Sequence, residues 1–462
     1  MDEKEITNIL IKNAVIVNPG HEDDSASDIL IENGIVKSVI KVGDKPRNQT
    51  LKQGQKSGPD GSAGSDLIFS DDFKITEIDG SGLIAAPAFF DMHVHIREPG
   101  NEEEEDFESA AGAALSGGIT TLCSMPNTDP PVDSEYLVRY VKSRALQAGI
   151  NILPAAAMTK KLEGLEITEF GLLKCAGAAA LSDDGKCVQD SKLMYEIMKY
   201  ARQFDMLLIL HEEDYTFSET GFVNEGYYSA KLGFDGISSL SEELIIARDL
   251  MLAAKTGTRI HITHISSKNS VDLICRAKES GVNVTCDVTP HHIFFNDSCL
   301  EGYNTNFKVN PPIRSEEDRN ALIEGLKNGV IDVIASDHAP HLEEEKNTTF
   351  REASSGAIGM ETLFSACYTC LCVSGGFKLS RLIGLLTENP FKIFKIIQPS
   401  ITPGKKADII LININKDTLI EKSSFLSRSS NSPFAGRKLK GEVICTIKDG
   451  KIAYKSNSLN RR

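Results

Sequence analysis

The chain has 462 residues, with 50 Lys plus Arg against 65 Asp plus Glu, a formal charge of −15. An acidic chain is a poor ligand for phosphate backbones, which argues against nucleic-acid binding, and 41% hydrophobic residues exclude wholesale disorder. No apolar run approaches the roughly 20 residues of a membrane span. The polar start Met1-Asp2-Glu3-Lys4-Glu5 has no signal-peptide core behind it, so a cytoplasmic location is expected.

The length leaves room for two or three folding units. Residues 7–19 and 28–43 alternate, are rich in Ile and Val and turn at Asn33-Gly34, which reads as paired strands. Residues 44–73 are rich in Gly, Ser, Lys and Asp without periodicity, the pattern of a flexible insertion. Short strands resume at 75–85. The apolar runs 83–95, 119–125, 151–157, 176–182, 206–211, 259–264, 283–289 and 331–336 then read as eight strands. Amphipathic stretches at 105–116, 133–148, 190–204, 241–255, 268–280 and 315–328 separate them as helices, with 158–175 less regular. Strands return near the end, in 407–414 and in 442–455 with its Asp449-Gly450 turn. The expected fold class is α/β: a (β/α)8 barrel over 84–395, and a small β-sandwich built from 1–83 and 396–462. An open doubly wound sheet is the alternative. It calls for a Gly-rich phosphate turn after the first strand, where Met92-His93-Val94-His95 stands instead.

Nine of the ten histidines lie between His93 and His341, which marks the middle of the chain as the chemical part. In a barrel of this kind catalytic groups sit at the C-terminal strand ends. His93 and His95, two apart on a strand, project to one face. Asp184 follows strand four, His211 ends strand five, His264 ends strand six and Asp337 ends strand eight. Singly, each has a structural reading: Asp337 as a cap, Asp183-Asp184-Gly185 as a turn, His211 as a core histidine. Jointly, four imidazoles and two carboxylates suit zinc or a similar divalent ion, either one ion or two sharing a carboxylate. Arg97, Asn127, Asn310 and His341 surround these positions as candidate binders of a planar carboxylate. Glu102–Asp106 and Glu343–Glu345 read as solvated charge runs, and His261 as facing away from His264. Ten cysteines are too sparse for a disulfide scaffold, and Cys367, Cys370 and Cys372 read as buried small hydrophobes.

The segments FFDMHVHIREPG (89–100), SGGITTLCSMPNTDPPVD (116–133), ALSDDG (180–185), FKVNPPIRSEEDR (307–319), IASDHAPHLEEEKN (334–347) and GAIGMET (356–362) carry a resemblance. The chain resembles the amidohydrolase superfamily and, within it, the bacterial-type dihydroorotases. The resemblance implies a metal-dependent barrel with zinc, one or two ions, held by His93, His95, Asp184, His211, His264 and Asp337. It implies substrate contacts from Arg97, Asn127, Asn310 and His341, and main-chain contacts to the substrate ring at Ser355 and Gly356, where Ser354-Ser355-Gly356 replaces the frequent Pro-Phe-Gly. The implied reaction is the reversible cyclisation of N-carbamoyl-L-aspartate to dihydroorotate in pyrimidine biosynthesis, with metal-bound hydroxide as nucleophile and Asp337 as general base and acid. Many superfamily members carry a carboxylated lysine at the end of strand four; here Asp184 stands in that role. Alternatives are another cyclic amidase (hydantoinase, dihydropyrimidinase or allantoinase) and an inactive scaffold beside aspartate transcarbamoylase. The implied partners are the small-molecule substrate, a second copy in a homodimer, and aspartate transcarbamoylase, with no nucleic acid and no membrane.

Overall fold

The computed structural model describes residues 8–44, 75–457 and 459. The insertion expected at 44–73 lies, apart from Asp44, outside them.

The two ends of the chain meet in one eight-stranded sheet. Its order is Lys451–Lys455, Lys438–Lys448, Ile409–Leu419, Ile84–Pro87, Asn8–Asn18, His21–Glu32, Ile35–Lys41, with Ile75–Asp79 also paired to Asn8–Asn18. Ile84–Pro87 is the joint, parallel to Val15 and Ile16 on one side and antiparallel to Ile409–Ile412 on the other. Ile9, Ile11, Ile29, Leu83, Ile409, Leu411 and Ile447 are fully buried in a shared core, which binds the N-terminal and C-terminal strands into one unit. The apolar run 83–95 therefore serves two sheets. Ala88 N donates to Asp408 O and Phe89 N to Gly118 O, so the handover falls just after Pro87, which has no N–H to give.

The second sheet is the barrel. Eight parallel strands follow in chain order: Phe89–Val94, Ile119–Ser124, Asn151–Ala157, Ala180–Ser182, Leu207–Leu210, Ile260–Ile262, Val284–Val288 and Val333–Ile334. A parallel bridge between Val94 and His338 closes the ring, with His95 N donating to His338 O at 2.9 Å and Ser336 N donating to Asp91 Oδ1 at 3.0 Å. The strands alternate as the pleat requires. Leu207 and Ile209 fill the barrel with Phe90, Met92, Cys123 and Val333, while Leu208 and Leu210 pack outward against the helices. Each such buried side chain contributes about 1.5–3 kcal/mol relative to exposure.

The six expected helices form within two residues of their expected bounds, from Phe107–Ser116 to Glu316–Asn328. Polar side chains start them: Asp106, Asp190, Ser267 and Ser315 accept from main-chain N–H groups of the first turn. Left-handed glycines at 149, 257 and 329 stop them. The irregular stretch 158–175 resolves into a short 3-10 turn, Lys160–Leu162, and a helix, Phe170–Ala176. A small ribbon, Val223–Asn224 with Gly236–Ile237, and two short helices are inserted after strand five. Among the described residues no helix is long and apolar enough to cross a membrane.

Candidate metal centre

The six residues singled out as ligands converge at the C-terminal rim of the barrel. His93 Nε2 lies 3.2 Å from His95 Nε2. Asp337 Oδ1 lies 3.1 Å from His95 Nε2 and 3.5 Å from His93 Nε2. Opposite them, His211 Nδ1 lies 3.0 Å from His264 Nε2. Asp184 stands between the two groups and gives one oxygen to each. Its Oδ2 is 3.3 Å from His93 Nε2 and 3.5 Å from His95 Nε2, and its Oδ1 is 3.6 Å from both His211 Nδ1 and His264 Nε2. All six are buried.

Backbone geometry aims these groups. The pairing of strand one with strand two breaks between Asp91 and Val94. Phe90 and Met92 point into the barrel, and past the break His93 and His95 do, where strict alternation would send His93 outward. His264 and Asp337 have φ of 39° and 47°, and Arg97 59°, a conformation that ordinary side chains enter only when their surroundings hold them there. Asp183, next to the central carboxylate, is consumed by structure: it accepts from Met158 N, Thr159 N and Thr159 Oγ1.

The far side of three imidazoles is held by an acceptor. His95 Nδ1 is 2.8 Å from Asn127 Oδ1, and His211 Nε2 is 3.0 Å from Glu213 Oε2. His93 Nδ1 is 2.6 Å from Thr263 Oγ1, whose hydroxyl donates to Asp287 Oδ2 at 3.0 Å. An acceptor on one ring nitrogen fixes the proton there and leaves a lone pair on the other. His93 and His95 thus present Nε2, and His211 presents Nδ1, toward the centre. Asp287 also accepts from His264 N and pairs with His261 Nε2 at 2.8 Å. The His261 imidazole turns to Asp287 and Thr285, and the His264 imidazole to His211 and Asp184; only the His264 main chain shares Asp287 with His261. Thr263, Asp287 and Glu213 were not legible as functional; their only sequence signal is a polar residue inside an apolar strand or at its end.

Facing lone pairs about 3 Å apart repel unless a proton or a cation lies between them. Buried Asp184 Oδ1 accepts no hydrogen bond. In the metal-free chain burial works against a charge on His93, but Asp184 and Asp337 outweigh it and push its pKa up to about 10. Burial likewise works against ionised Glu213, and the His211 hydrogen bond brings it down to about 2. A site that demands positive charge, offers nitrogen and carboxylate donors and orients them from behind fits divalent cations. Two overlapping donor groups, His93–His95–Asp184 and Asp184–His211–His264, share the central carboxylate. Among the described residues no lysine takes part. Lys174, the one nearest to strand four on its N-terminal side, donates to Phe204 O.

The expected substrate binders ring this centre. Arg97 Nη2 is 3.3 Å from His341 Nε2, which is 3.0 Å from Ser355 O. Gly356 sits beneath the same imidazole, where a Cβ would come within 2.9 Å of His341 Nε2. Asn127 is committed through its oxygen to His95, and Asn310 Nδ2 donates to Glu213 Oε2 at 3.1 Å. A cavity of about 490 Å³ opens beside Glu213, Asn310 and Ser355. A larger cleft of about 670 Å³ lies at the opposite rim, around Asp332, Phe377 and Arg381, and holds none of these groups. The acidic runs are not solvated faces throughout. Glu104 pairs with Arg97 Nε at 2.9 Å, Glu345 lies 3.2 Å from His341 Nδ1, and fully buried Glu105 binds His338 Nε2 at 3.1 Å. His291 is buried with Nε2 unpartnered, and desolvation pushes its pKa down to about 4.

Residues 82–270 match a family model described as dihydro-orotase-like. A dihydroorotase of Caldicellulosiruptor saccharolyticus is 44% identical over 454 residues, 98% of this chain and 100% of that protein. A dihydroorotase of Bacillus subtilis is 43% identical over 97% of this chain and 99% of its own length. The chain belongs to the dihydroorotase family. Family membership makes it a hydrolase acting on cyclic amides. Among solved structures, an L-hydantoinase from Arthrobacter aurescens superposes with a TM-score of 0.81 at 25% identity, covering 97% of this chain and 96% of that one. The dihydroorotase family and the hydantoinases thus share the barrel with its terminal sheet. The higher identity to dihydroorotases, over nearly the full length, separates this chain from the hydantoinase alternative.

Proposed function

We propose that this chain interconverts dihydroorotate and N-carbamoyl-L-aspartate with divalent cations that His93, His95 and Asp337 would hold on one side and His211 and His264 on the other, Asp184 being open to both groups. The observation that carries this reading is the division of Asp184, one oxygen toward each imidazole pair. Nitrogen and carboxylate donors in this number suit zinc. When bound, such cations polarise an amide carbonyl and lower the pKa of water toward ~7.

The chain's own residues supply the rest. Burial would raise the pKa of Asp337, yet the His95 hydrogen bond and the neighbouring imidazoles hold it well below the usual carboxylate range. Asp337 is therefore ionised at neutral pH, accepts a proton from the attacking water and returns it to the leaving ring nitrogen. Arg97 faces the exocyclic carboxylate, with Asn127 and His341 beside it. Burial and the Arg97 charge bring His341 down to about 4, so the ring is neutral and the guanidinium carries the charge. Ser355 and Gly356 flank the substrate ring through their main chain, and Asn310 closes the opposite side.

Hydantoins, dihydrouracil and allantoin lack that carboxylate. A site that aims a part-buried guanidinium at a carboxylate binds rings that lack the group less well. The deciding experiment is an absorbance assay of the purified protein with dihydroorotate, dihydrouracil, hydantoin and allantoin, before and after chelation. Turnover of dihydroorotate that is lost on chelation and restored by zinc is expected. Preference for a carboxylate-free ring would overturn the reading, and a metal-free, inactive protein would favour a scaffold.

A further inference from the structure

Lys346 is 6% exposed, and among the described residues no carboxylate lies within ion-pair distance of its ammonium. Main-chain oxygens alone receive it. Nζ donates to Ser354 O at 2.7 Å, to Gly356 O at 3.0 Å and to Lys308 O at 3.4 Å. A buried cation without a counter-ion is costly, and a chain retains one where the charge or the geometry serves something.

Two of the oxygens it gathers, Ser354 O and Gly356 O, belong to the strap that carries Ser355 and Gly356. Ser355 O, between the two carbonyls held by Lys346, lies 3.0 Å from His341 Nε2. Asn431, from the C-terminal part of the chain, donates to Gly356 O at 3.1 Å and to Ala339 O at 3.0 Å, and accepts from His341 N at 3.2 Å. Gly356 N donates to Lys308 O. All three carbonyls of the strap are thereby taken up, beside the 490 Å³ cavity that Ser355 lines. Glu345, on the same turn as Lys346, and Lys308 are the charged groups that act on the ammonium. The charge is felt at the site: together with burial and Arg97, Lys346 lowers the pKa of His341.

We propose that Lys346 is a positioning residue that fixes the Ser354–Gly356 strap against His341 and places a second positive charge on the His341 side of the site for a substrate carboxylate. The proposal rests on the reading that the substrate carries such a carboxylate. It predicts a loss in binding rather than in chemistry, because Lys346 touches neither the metal ligands nor the reacting atoms.

Two variants separate the parts. Lys346→Met removes both donors and charge at similar length; Lys346→Gln keeps donors and removes the charge. Steady-state kinetics of the zinc-loaded enzyme with dihydroorotate, and amide hydrogen exchange of residues 354–358 without substrate, are measured on each. For Lys346→Met, KM rises about tenfold or more with kcat within about threefold, and exchange at 354–358 accelerates. Lys346→Gln retains the protection and keeps a raised KM. An unchanged KM in either variant, or kcat lost with exchange at 354–358 unchanged, overturns the proposal. If Lys346→Met does not fold, Lys346→Gln decides alone by its KM. If the wild type leaves dihydroorotate untouched, the functional reading fails separately. The exchange arm then decides: unchanged protection in Lys346→Met overturns positioning, and lost protection supports it.

Discussion

Thr263 Oγ1 lies 2.6 Å from His93 Nδ1 and donates its own hydrogen bond to Asp287 Oδ2, 3.0 Å away. This relay decides which nitrogen of His93 can hold a cation. Thr263→Val, nearly isosteric, and Asp287→Asn are each expected to weaken metal affinity by about 10–100-fold. Competition with a coloured chelator measures it. Wild-type affinity in both variants would sink the relay.

Metal uptake releases protons. The pKa of His93 stands at about 10 in the metal-free chain, because Asp184 and Asp337 outweigh burial. At pH 7 the ring is charged, whereas a cation needs its lone pair. Loading therefore expels a proton, and apparent affinity climbs as pH rises toward 10. Titration calorimetry in two buffers of different ionisation enthalpy reads the proton count. Heats that do not depend on the buffer would contradict it.

Asp337→Asn keeps an oxygen near His95 but removes the base. Zinc content is expected to stay near wild type while ring opening falls by about 100-fold or more. Near-normal turnover would take Asp337 out of the proton path.

Glu105 accepts from Ser109 Oγ, Ser427 Oγ and Arg428 N, and pairs with His338 Nε2. It ties the first helix and the C-terminal segment to the residue after Asp337. Glu105→Leu strands these partners in the interior and is expected to cost about 3 kcal/mol. Thermal unfolding of the zinc-loaded protein measures the loss; an unchanged melting temperature would refute it.

Burial lowers the Lys346 pKa from 10.5 to about 7, with Lys308 acting in the same sense and Glu345 against it. Between these values the unfolded chain binds more protons at this site than the folded one. This group's contribution to stability therefore rises with pH from about 7 to 10.5. The melting temperature of the wild type should gain on that of Lys346→Met as pH is raised from 7 to 10. A difference that stays constant or narrows would show that the ammonium is not strained.

Local periodicity carried much of this protein. Apolar runs marked the strands, and amphipathic spacing marked the helices, because each reports the burial of one face of its own segment. The His-x-His pair and the residues ending strands four, five, six and eight were legible too, since a parallel barrel puts all its strand ends on one rim. Partnership was not legible. Asp183 and Asp184 are chemically alike, yet the first caps Met158 and Thr159 while the second faces four imidazoles. The Glu102–Asp106 run reads as solvent-facing, yet Glu105 bonds to residues more than 200 positions away. Nor does the chain's own order show that one run of residues leaves the terminal sheet at Pro87 and enters the barrel at Phe89. Hydrogen-bond acceptors chosen across the barrel leave no pattern along the chain, so only the closed ring could set the tautomers of His93, His95 and His211.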